Sequence, residues 1–355
     1  MSAEAAVFEH IAVTRLPELQ TAGGMFRATP RIDSAGEGVA DTSTLRAGSI
    51  VLLGLLRADE VGLAHPFSTG ALRTRVLGDL SGPDGGPGEL GIALWAESRA
   101  DGGAVNEIAD LISKRVADGF ESVPLEQLAW LVSGLTEASV RVGGGPGLDE
   151  LLESAYAALL DRVDHSSGLL EDLHHRIGGG LTPVSDQFHS LTAFCQLARA
   201  GRGEESAERA QGLLSALLEL QREDGSWPGI VDPHRGEAAA LYPVLTVTQV
   251  ALAPSALRIA RDDGLEGDLA GATESSVLWA RGSNRLEFDL VHEEAARIDR
   301  GIVPRRLPGA VSRGFTAAAR RLRGHLVEPD REDLILDPDA SSEDLGWLLE
   351  AWAGR

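Results

Sequence analysis

Asp186 and His189 lie at a spacing that suits acid–base chemistry. They are three residues apart in the stretch Ser185-Asp186-Gln187-Phe188-His189, so on a helix they share one face. A carboxyl group and an imidazole on one face can pass a proton to and from a substrate. In the alternative, structural interpretation, Ser185 or Asp186 caps the helix and His189 bonds to a neighbour. Asp186 and His189 are therefore candidate catalytic residues.

A second acidic group precedes the last helical segment of the chain. Its sequence is Asp337-Pro338-Asp339-Ala340-Ser341-Ser342-Glu343-Asp344. Asp339 and Asp344 are the candidate catalytic residues here, because a carboxyl group that burial and hydrogen bonds keep neutral can donate a proton. The alternative is a solvated acidic loop in which Ser341 or Ser342 caps the helix that follows.

The loop over residues 164–186 contains several ligand-type side chains: His165, Glu171, Asp172, His174 and His175. Adjacent histidines diverge and no second ligand pair follows at a spacing of four, so the pattern predicts no metal site. The run of glycines at 178–180 would give the loop the flexibility of a lid. The sequence has no phosphate-binding loop, and we expect no cofactor.

The elements that must position these residues are helices. Apolar residues recur at spacings of three and four from about residue 45 onward, which predicts an all-α fold. Six segments are apolar on nearly every face, which is typical of buried helices: 44–58, 88–100, 125–138, 185–200, 245–262 and 343–355. Helices with one polar face lie between them, at 106–120, 148–163 and 204–220. This alternation predicts an (α/α)6 toroid of inner and outer helices, built as one domain over residues 1–355.

Two regions do not follow the alternation. Residues 1–43 are predicted to form an N-terminal arm or an outer helix that closes the ring. Residues 282–340 are predicted to be a long insertion before the last inner helix. Within it, residues 305–323 are rich in arginine on an otherwise acidic chain, which makes them a candidate docking segment for a partner.

Composition excludes several classes of function. The chain has 355 residues and a net charge of −22, whereas nonspecific nucleic-acid binding needs a basic surface. No apolar run approaches the length of a membrane span, and the N-terminus lacks the pattern of a signal peptide. We therefore expect no nucleic acid as partner, no membrane span and a cytoplasmic location. Cys195 lies on an apolar stripe and is predicted to be a buried core thiol.

Residues 220–227, Leu-Gln-Arg-Glu-Asp-Gly-Ser-Trp, resemble the QW repeat of the squalene–hopene cyclase and prenyltransferase-like α/α toroids. The resemblance implies that Gln221 bonds to backbone at the end of a neighbouring helix and that Trp227 stacks over it. A side-chain amide can satisfy both kinds of backbone group that a helix end leaves unpaired. Asp224 and Gly225 would form the turn. We expect these four residues to be structural.

The same resemblance implies a terpenoid-cyclase-like enzyme that acts on an isoprenoid in the toroid cavity. Class II cyclases protonate an alkene or epoxide with the middle residue of Asp-x-Asp-Asp. Asp337 and Asp339 match two positions of that motif, and Ala340 replaces the last. Aromatic faces would steady the carbocation. The candidate substrate-binding residues are Trp95, Trp130, Gln187, Tyr242, Gln249 and Trp347.

A carbohydrate-active toroid is the first alternative: a glycoside hydrolase, a lyase or a sugar epimerase. Such an enzyme pairs two carboxyl groups, here Asp186 with Asp344, and stacks sugar rings on aromatic side chains. Three stretches, including residues 242–257, resemble uncharacterised bacterial toroid proteins, some of them encoded beside polysaccharide genes. The small-molecule substrate would then be a sugar.

A non-catalytic toroid that binds a partner is the second alternative. The uncharacterised toroids tend to have His-Gln-Asp where this chain has Thr248, Gln249 and Val250. They also have a histidine at the position of Asp344. The loss of these polar side chains favours a scaffold.

Overall fold

The computed structural model describes residues 3–27, 44–82, 85–100, 102–173, 180–203, 205–305, 328–338 and 340–355. These residues form twelve α-helices. They are α1 (Ala3–Leu19), α2 (Leu45–Glu60), α3 (Thr69–Asp79), α4 (Pro87–Ala100), α5 (Val105–Arg115), α6 (Leu125–Ala138), α7 (Pro146–Leu160), α8 (Val184–Arg199), α9 (Ser206–Leu220), α10 (Ala253–Asp262), α11 (Leu269–Ala280) and α12 (Ser342–Trp352). A π-helical turn, Thr248–Leu252, leads into α10.

The even-numbered helices form a closed inner ring. Each packs against the next, from α2 through α4, α6, α8 and α10 to α12, and α12 packs back against α2. Outer helices α3, α5, α7, α9 and α11 pack on this ring, and α1 packs on α12. The (α/α)6 toroid predicted from the apolar pattern is confirmed.

The inner helices are apolar on most faces because the ring buries them on most faces. In α6, for example, all of the residues from Leu128 to Thr136 are buried. Two contacts between neighbouring inner helices are backbone to backbone. A Cβ atom at Gly134 of α6 would lie 2.1 Å from the carbonyl oxygen of Gly91 in α4, and one at Gly54 of α2 would lie 2.4 Å from that of Gly346 in α12. Only glycine fits at Gly134 and Gly54 without displacing the neighbouring helix.

Short strands lie only in the connections that lead into three inner helices, as far as the described residues show. β1 (Thr182–Pro183) precedes α8, and β2 (Ile230–Asp232), β3 (Glu237–Ala240) and β4 (Val244–Leu245) precede α10. β5 (Val291–His292), β6 (Arg297–Ile298), β7 (Gly301–Pro304) and β8 (Leu334–Asp337) precede α12. All pairings are antiparallel, in the orders β1-β2-β3, β4-β7-β8 and β5-β6. The strands therefore build up the end of the ring at which inner helices begin.

Three further sequence expectations bear on the fold. Among the described helices, none has the length and apolar character needed to cross a membrane. Cys195 is buried in α8, and burial raises the pKa of its thiol to about 12. Of the arginine-rich segment at 305–323, only Arg305 is described, so the predicted docking segment lies outside the described residues.

Candidate active site

Five inner helices place an ionisable side chain in their first turn. These residues are Arg46 in α2, Glu89 in α4, Glu126 in α6, Asp186 in α8 and Glu343 in α12. Because the inner helices run in the same direction around the ring, their first turns share one end of it, which we call the N-terminal end. Carboxylates are favoured in the first turn by the partial positive charge of the helix N-terminus.

Arg46 is the cation at this end. Its Nη1 and Nη2 atoms donate to the two carboxylate oxygens of Glu126 at 2.9 and 3.1 Å, and its Nε donates to Glu343 at 2.8 Å. The guanidinium carbon lies 4.5 Å from the centre of the Trp130 ring. Burial acts to lower the pKa of Arg46, but the charges of Glu126 and Glu343 outweigh it and raise the pKa. Two carboxylates are thus held in fixed positions by one planar cation.

Among the four carboxyl groups in these first turns, that of Asp186 is the most deeply buried, with a relative exposure of 5%. Burial raises the pKa of Asp186 well above its ordinary value, and the nearby negative charge of Glu126 raises it further. The Ser185 hydroxyl donates to Asp186 Oδ1 at 2.9 Å, which acts in the opposite direction. Burial also raises the pKa of Glu89, against a backbone hydrogen bond and Arg46, with Glu126 and Glu343 adding to the rise. Both environments favour the neutral carboxylic acid.

This arrangement separates the carboxyl groups into two kinds. Asp186 and Glu89 are driven toward the protonated form, whereas Glu126 and Glu343 form ion pairs with Arg46. A neutral acid beside a carboxylate is the combination that general acid catalysis requires when a positive charge develops on the substrate.

An aromatic layer lies one turn further into the ring. The centre of the His189 ring is 5.3 Å from that of Trp130 and 5.1 Å from that of Trp347. Burial, together with the charge of Arg46, lowers the pKa of His189 to about 3, so the imidazole is neutral. Among the described contacts, no hydrogen bond joins Asp186 to His189, although they share a helix face.

The layer forms the floor of a cavity of about 270 Å³ that extends toward the other end of the ring. Trp95, Trp130, His189 and Trp347 all contribute to its wall. The three tryptophans proposed as substrate-binding residues therefore line a single cavity in the ring interior. Whether they bind a substrate stays a prediction.

Asp344 has a structural use at the start of α12. Its carboxylate accepts a hydrogen bond from the backbone N–H of Ser341 at 2.8 Å, and its own N–H donates to the Ser341 hydroxyl at 3.1 Å. These two bonds are a capping box. Burial raises the pKa of Asp344, with Arg300 acting against it. Its neighbour Glu343 is the residue that bonds to Arg46, and Asp339 lies outside the described residues.

The polar residues Gln187, Gln249 and Tyr242 bond within the protein. Gln187 donates to the carbonyl of Leu170 at 2.7 Å and accepts from its N–H at 2.9 Å. The Gln249 side-chain oxygen accepts from the backbone N–H of Trp227 at 3.2 Å. The Tyr242 hydroxyl, whose pKa burial raises, is hydrogen bonded to Arg222. All three side chains thus stabilise connections that lead into inner helices.

Residues 221–227 form the turn that follows α9, and this turn contacts α11. Gln221 donates to the carbonyls of Gly225 and Ala272, both at 2.9 Å. Asp224 accepts from the backbone N–H of Ser226 at 3.0 Å. Gly225 has φ +86°, and a Cβ atom there would lie 2.1 Å from the carbonyl oxygen of Ser275.

Trp227 is fully buried, and its indole N–H donates to the carbonyl of Leu217 at 3.0 Å. Its ring meets Phe188 edge to face, with 5.0 Å between centres. The contact with Phe188 ties the end of α9 to the inner helix α8.

The described residues contain one group that could hold a metal ion. Asp164 and Glu171 lie in the loop before α8 and His234 lies between β2 and β3, and their ligand atoms are within 4.8 Å of one another. His234 Nδ1 is 3.1 Å from Asp164 and 3.3 Å from Glu171. Hydrogen bonding, first from the Ser166 hydroxyl, lowers the pKa of Asp164 to about 2. A hydrogen bond between His234 and Asp164 accounts for the shorter of these distances, and His174 and His175 lie outside the described residues.

Sequence reasoning missed Arg46, Glu89, Glu126 and Glu343. A signal for them was present: each lies at the second or third residue of an inner helix, as Asp186 does. Comparing the first turns of the six apolar segments with one another would have selected these positions. The candidates chosen from the sequence instead came from polar residues that are close together in the chain.

Comparison with known proteins finds the same fold in solved structures. No protein-family model and no curated protein sequence matches this chain. A possible member of the GH105 family from Salmonella enterica has a TM-score of 0.62 at 10% identity, covering 99% of this chain and 93% of that one. A cellobiose 2-epimerase from Bacillus thermoamylovorans has a TM-score of 0.60 at 11% identity, covering 99% of both chains. A sugar epimerase from a ruminal bacterium has a TM-score of 0.57 at 11% identity, covering 91% of this chain and 99% of that one.

These similarities establish the fold, and they correct one prediction. The resemblance to terpenoid cyclases is wrong, because the toroids that share this fold over nearly their whole length are glycoside hydrolases and sugar epimerases by their descriptions. The stretch at 220–227 misled because a glutamine that binds a neighbouring helix end and a buried tryptophan solve a problem of helix packing, whatever the enzyme does.

Proposed function

We propose that this protein is a carbohydrate-active enzyme that cleaves a glycosidic bond at the N-terminal end of the ring, with Asp186 as the proton donor. The fold is shared with proteins described as glycosyl hydrolases and sugar epimerases. The observation that carries the proposal is the environment of Asp186, a buried carboxyl group with a raised pKa beside the Glu126–Arg46 ion pair.

The chemistry follows from that pairing. A glycosidic oxygen is a poor leaving group until it is protonated, which a neutral Asp186 would do. Positive charge then develops on the sugar ring, and the carboxylates of Glu126 and Glu343 would stabilise it. Arg46 would act as a positioning residue, because its three hydrogen bonds fix both carboxylates. The neutral carboxyl of Glu89 would add a hydrogen-bond donor for a sugar hydroxyl.

Solvent reaches this end of the ring. The side chains of Arg46, Glu126 and Glu343 keep 28, 25 and 20% of their accessible surface, whereas Asp186 lies behind them. A substrate that displaces solvent from the outer three residues would bring its leaving oxygen toward the inner one. The strands before α8, α10 and α12 raise the wall on one side.

Epimerisation is the second candidate, because two of the toroids with this fold are described as sugar epimerases. Moving a proton on and off a sugar carbon needs a base whose pKa is near the working pH. His189 is the imidazole in the aromatic layer, and burial lowers its pKa to about 3. This value favours cleavage, driven by the Asp186 acid, over epimerisation.

The test is turnover of a panel of nitrophenyl glycosides and oligosaccharides, including uronic acids, in normal water and in D2O. We expect cleavage by the wild type and a kcat lower by about 10²- to 10⁴-fold in Asp186→Asn. Asp344→Asn is the matched control, because its carboxyl group caps α12, and it should keep most of the activity.

Three outcomes would contradict the proposal. One is no turnover of any substrate by the wild type, and another is an equal loss of activity in both variants. The third is deuterium gained at a sugar carbon without cleavage, which would indicate the epimerase.

A further inference from the structure

The opposite end of the ring, where the inner helices finish, is rich in arginine. We call it the C-terminal end. The cavity of about 270 Å³ opens toward it, and six arginines contribute to the cavity wall: Arg57, Arg99, Arg141, Arg199, Arg258 and Arg355. This concentration of cations occurs on a chain whose net charge is −22.

Four of the six have carboxylate partners at hydrogen-bonding or ion-pair distance. Arg99 donates to both oxygens of Glu350 at 2.6 and 2.8 Å, and Arg141 donates to Glu137 at 2.8 Å. Arg199 lies 2.7 Å from Asp263, and Arg57 donates to Glu60 at 3.2 Å. Their charge is balanced within the protein. They shape the opening but leave no surplus charge for a ligand.

Arg258 is different. Its guanidinium donates to the Ser255 hydroxyl at 3.2 Å and to the Ala351 carbonyl at 3.4 Å, and it forms no ion pair with any described carboxylate. Burial lowers the pKa of Arg258 to about 10, and the like charges of Arg355 and Arg57 contribute, whereas the charges of Glu350 and Asp262 act in the opposite direction. Arg258 is therefore a largely buried cation with no described carboxylate at ion-pair distance.

Aromatic side chains contribute to the wall of the same cavity. Trp95, Trp130 and Trp347 all line it, and a wall of aromatic rings with a few charged groups is typical of a site for a small organic molecule. Water can fill the cavity, but water does not balance the charge of Arg258.

We propose that the C-terminal end of the ring binds a small organic oxyanion, of the class of a sugar acid or sugar phosphate. Its charged group would lie on Arg258, and its organic part would lie against the aromatic side chains of the cavity wall. The site is separate from Asp186, across the layer formed by Trp130, His189 and Trp347. The inference holds whether or not Asp186 is catalytic.

The experiment is calorimetric titration of the full chain with four probes: glucuronate, glucose 6-phosphate, glucose and inorganic phosphate. We expect at least one of the two anionic sugars to bind at least tenfold more tightly than glucose. That binding should weaken by about ten- to a hundredfold in Arg258→Gln, which removes a charge-assisted contact. Arg261→Gln is the matched control, because Arg261 is on the same helix, highly exposed and paired with Asp262. Asp186→Asn should bind as the wild type does.

Trp95→Phe provides a second measurement, in case Arg258→Gln does not fold. It reduces the aromatic surface that lines the cavity, and we expect two- to tenfold weaker binding of the anionic sugar. The proposal is overturned if neither anionic sugar binds at millimolar concentration, or if glucose binds equally well. It is also overturned if inorganic phosphate alone binds, or if folded Arg258→Gln binds as tightly as Arg261→Gln.

Discussion

The two ends of the inner ring have opposite surpluses of charge. At the N-terminal end several carboxyl groups surround Arg46, and at the C-terminal end the unpaired charge is that of arginine. Helix dipoles favour this polarity, because acids are stabilised at helix starts and bases at helix ends. The polarity alone is therefore weak evidence about function. The way in which the surplus charge at each end is neutralised is more informative.

A carboxyl group and a guanidinium respond differently to crowding. Burial, helped by nearby negative charge, favours the protonated form of Asp186 and Glu89, and a protonated carboxyl group can donate a proton. Arginine keeps its proton at any ordinary pH, so the charge of Arg258 can be balanced only by an anion. The same fold thus places carboxyl groups suited to proton donation at one end and a cation without an ion-pair partner at the other.

The largest expected effect on stability is at Arg46. Arg46→Met leaves Glu126 and Glu343 close together without their cation, and we expect a loss of about 2 kcal/mol in the free energy of unfolding, measured by urea denaturation. Arg209→Met is the control, because its pair with the more exposed Glu205 is of the surface kind. It should change stability by less than about 0.5 kcal/mol. Equal losses of stability in the two variants would mean that the ion pairs of Arg46 contribute no more than an exposed surface pair does.

The protonation of Asp186 predicts how stability depends on pH. The folded pKa lies above the unfolded value of about 3.9, so between the two the folded state binds more protons, and stability falls as pH rises. The limiting slope for one proton is about 1.4 kcal/mol per pH unit. Asp186→Asn removes this slope and should gain stability relative to the wild type as the pH rises above about 4. Parallel curves for the two proteins would contradict a raised pKa.

Glu343 and Asp344 are adjacent carboxylates with different partners, and substituting each one separates their roles. Asp344→Asn disturbs the capping box and should cost about 1 kcal/mol of stability with little change in kcat. Glu343→Gln removes a charged hydrogen-bond partner from Arg46. Its main effect should be a lower kcat, with only a small change in the free energy of unfolding. A large loss of kcat in Asp344→Asn, with little loss in Glu343→Gln, would instead indicate that Asp344 belongs to the active site.

The smallest effect is expected at the opposite end. Arg258→Gln removes a charge that burial, Arg355 and Arg57 all disfavour. In buffer without organic anions we expect a change of less than about 0.5 kcal/mol in the free energy of unfolding, which calorimetry or urea denaturation measures. A loss as large as that of Arg46→Met would mean that Arg258 is satisfied within the protein and that the two ends are alike.

The sequence allowed prediction of the ring but only part of the site. The spacing of apolar residues is set by helix geometry, which is why five of the six inner segments were predicted within three residues of their observed limits. The predicted segment 245–262 instead begins in β4 and continues through the π-helical turn before α10. Asp186 was selected because it lies near a histidine in sequence, and its role stays a prediction. Arg46, Glu126 and Glu343 meet across helices that are up to 297 residues apart in the chain, and no local pattern marks that contact.

The choice between neighbouring acids was also beyond the sequence. A one-residue difference in position turns Glu343 toward Arg46 and leaves Asp344 to cap α12. Gln187 and Gln249 looked like substrate ligands, yet their amides bond to backbone of loops that are distant in the chain. Strands of two to four residues are too short to show the alternation of apolar and polar residues by which a strand is recognised in a sequence.

The glycine contacts between α4 and α6 and between α2 and α12 have one more consequence. Helices that touch through their backbones stand as near as helices can, so two of the six seams shorten the circumference of the ring. A shorter circumference means a narrower space inside the ring. Replacing Gly134 with alanine would push α4 and α6 apart, and we expect the cavity of about 270 Å³ inside the ring to widen as a result.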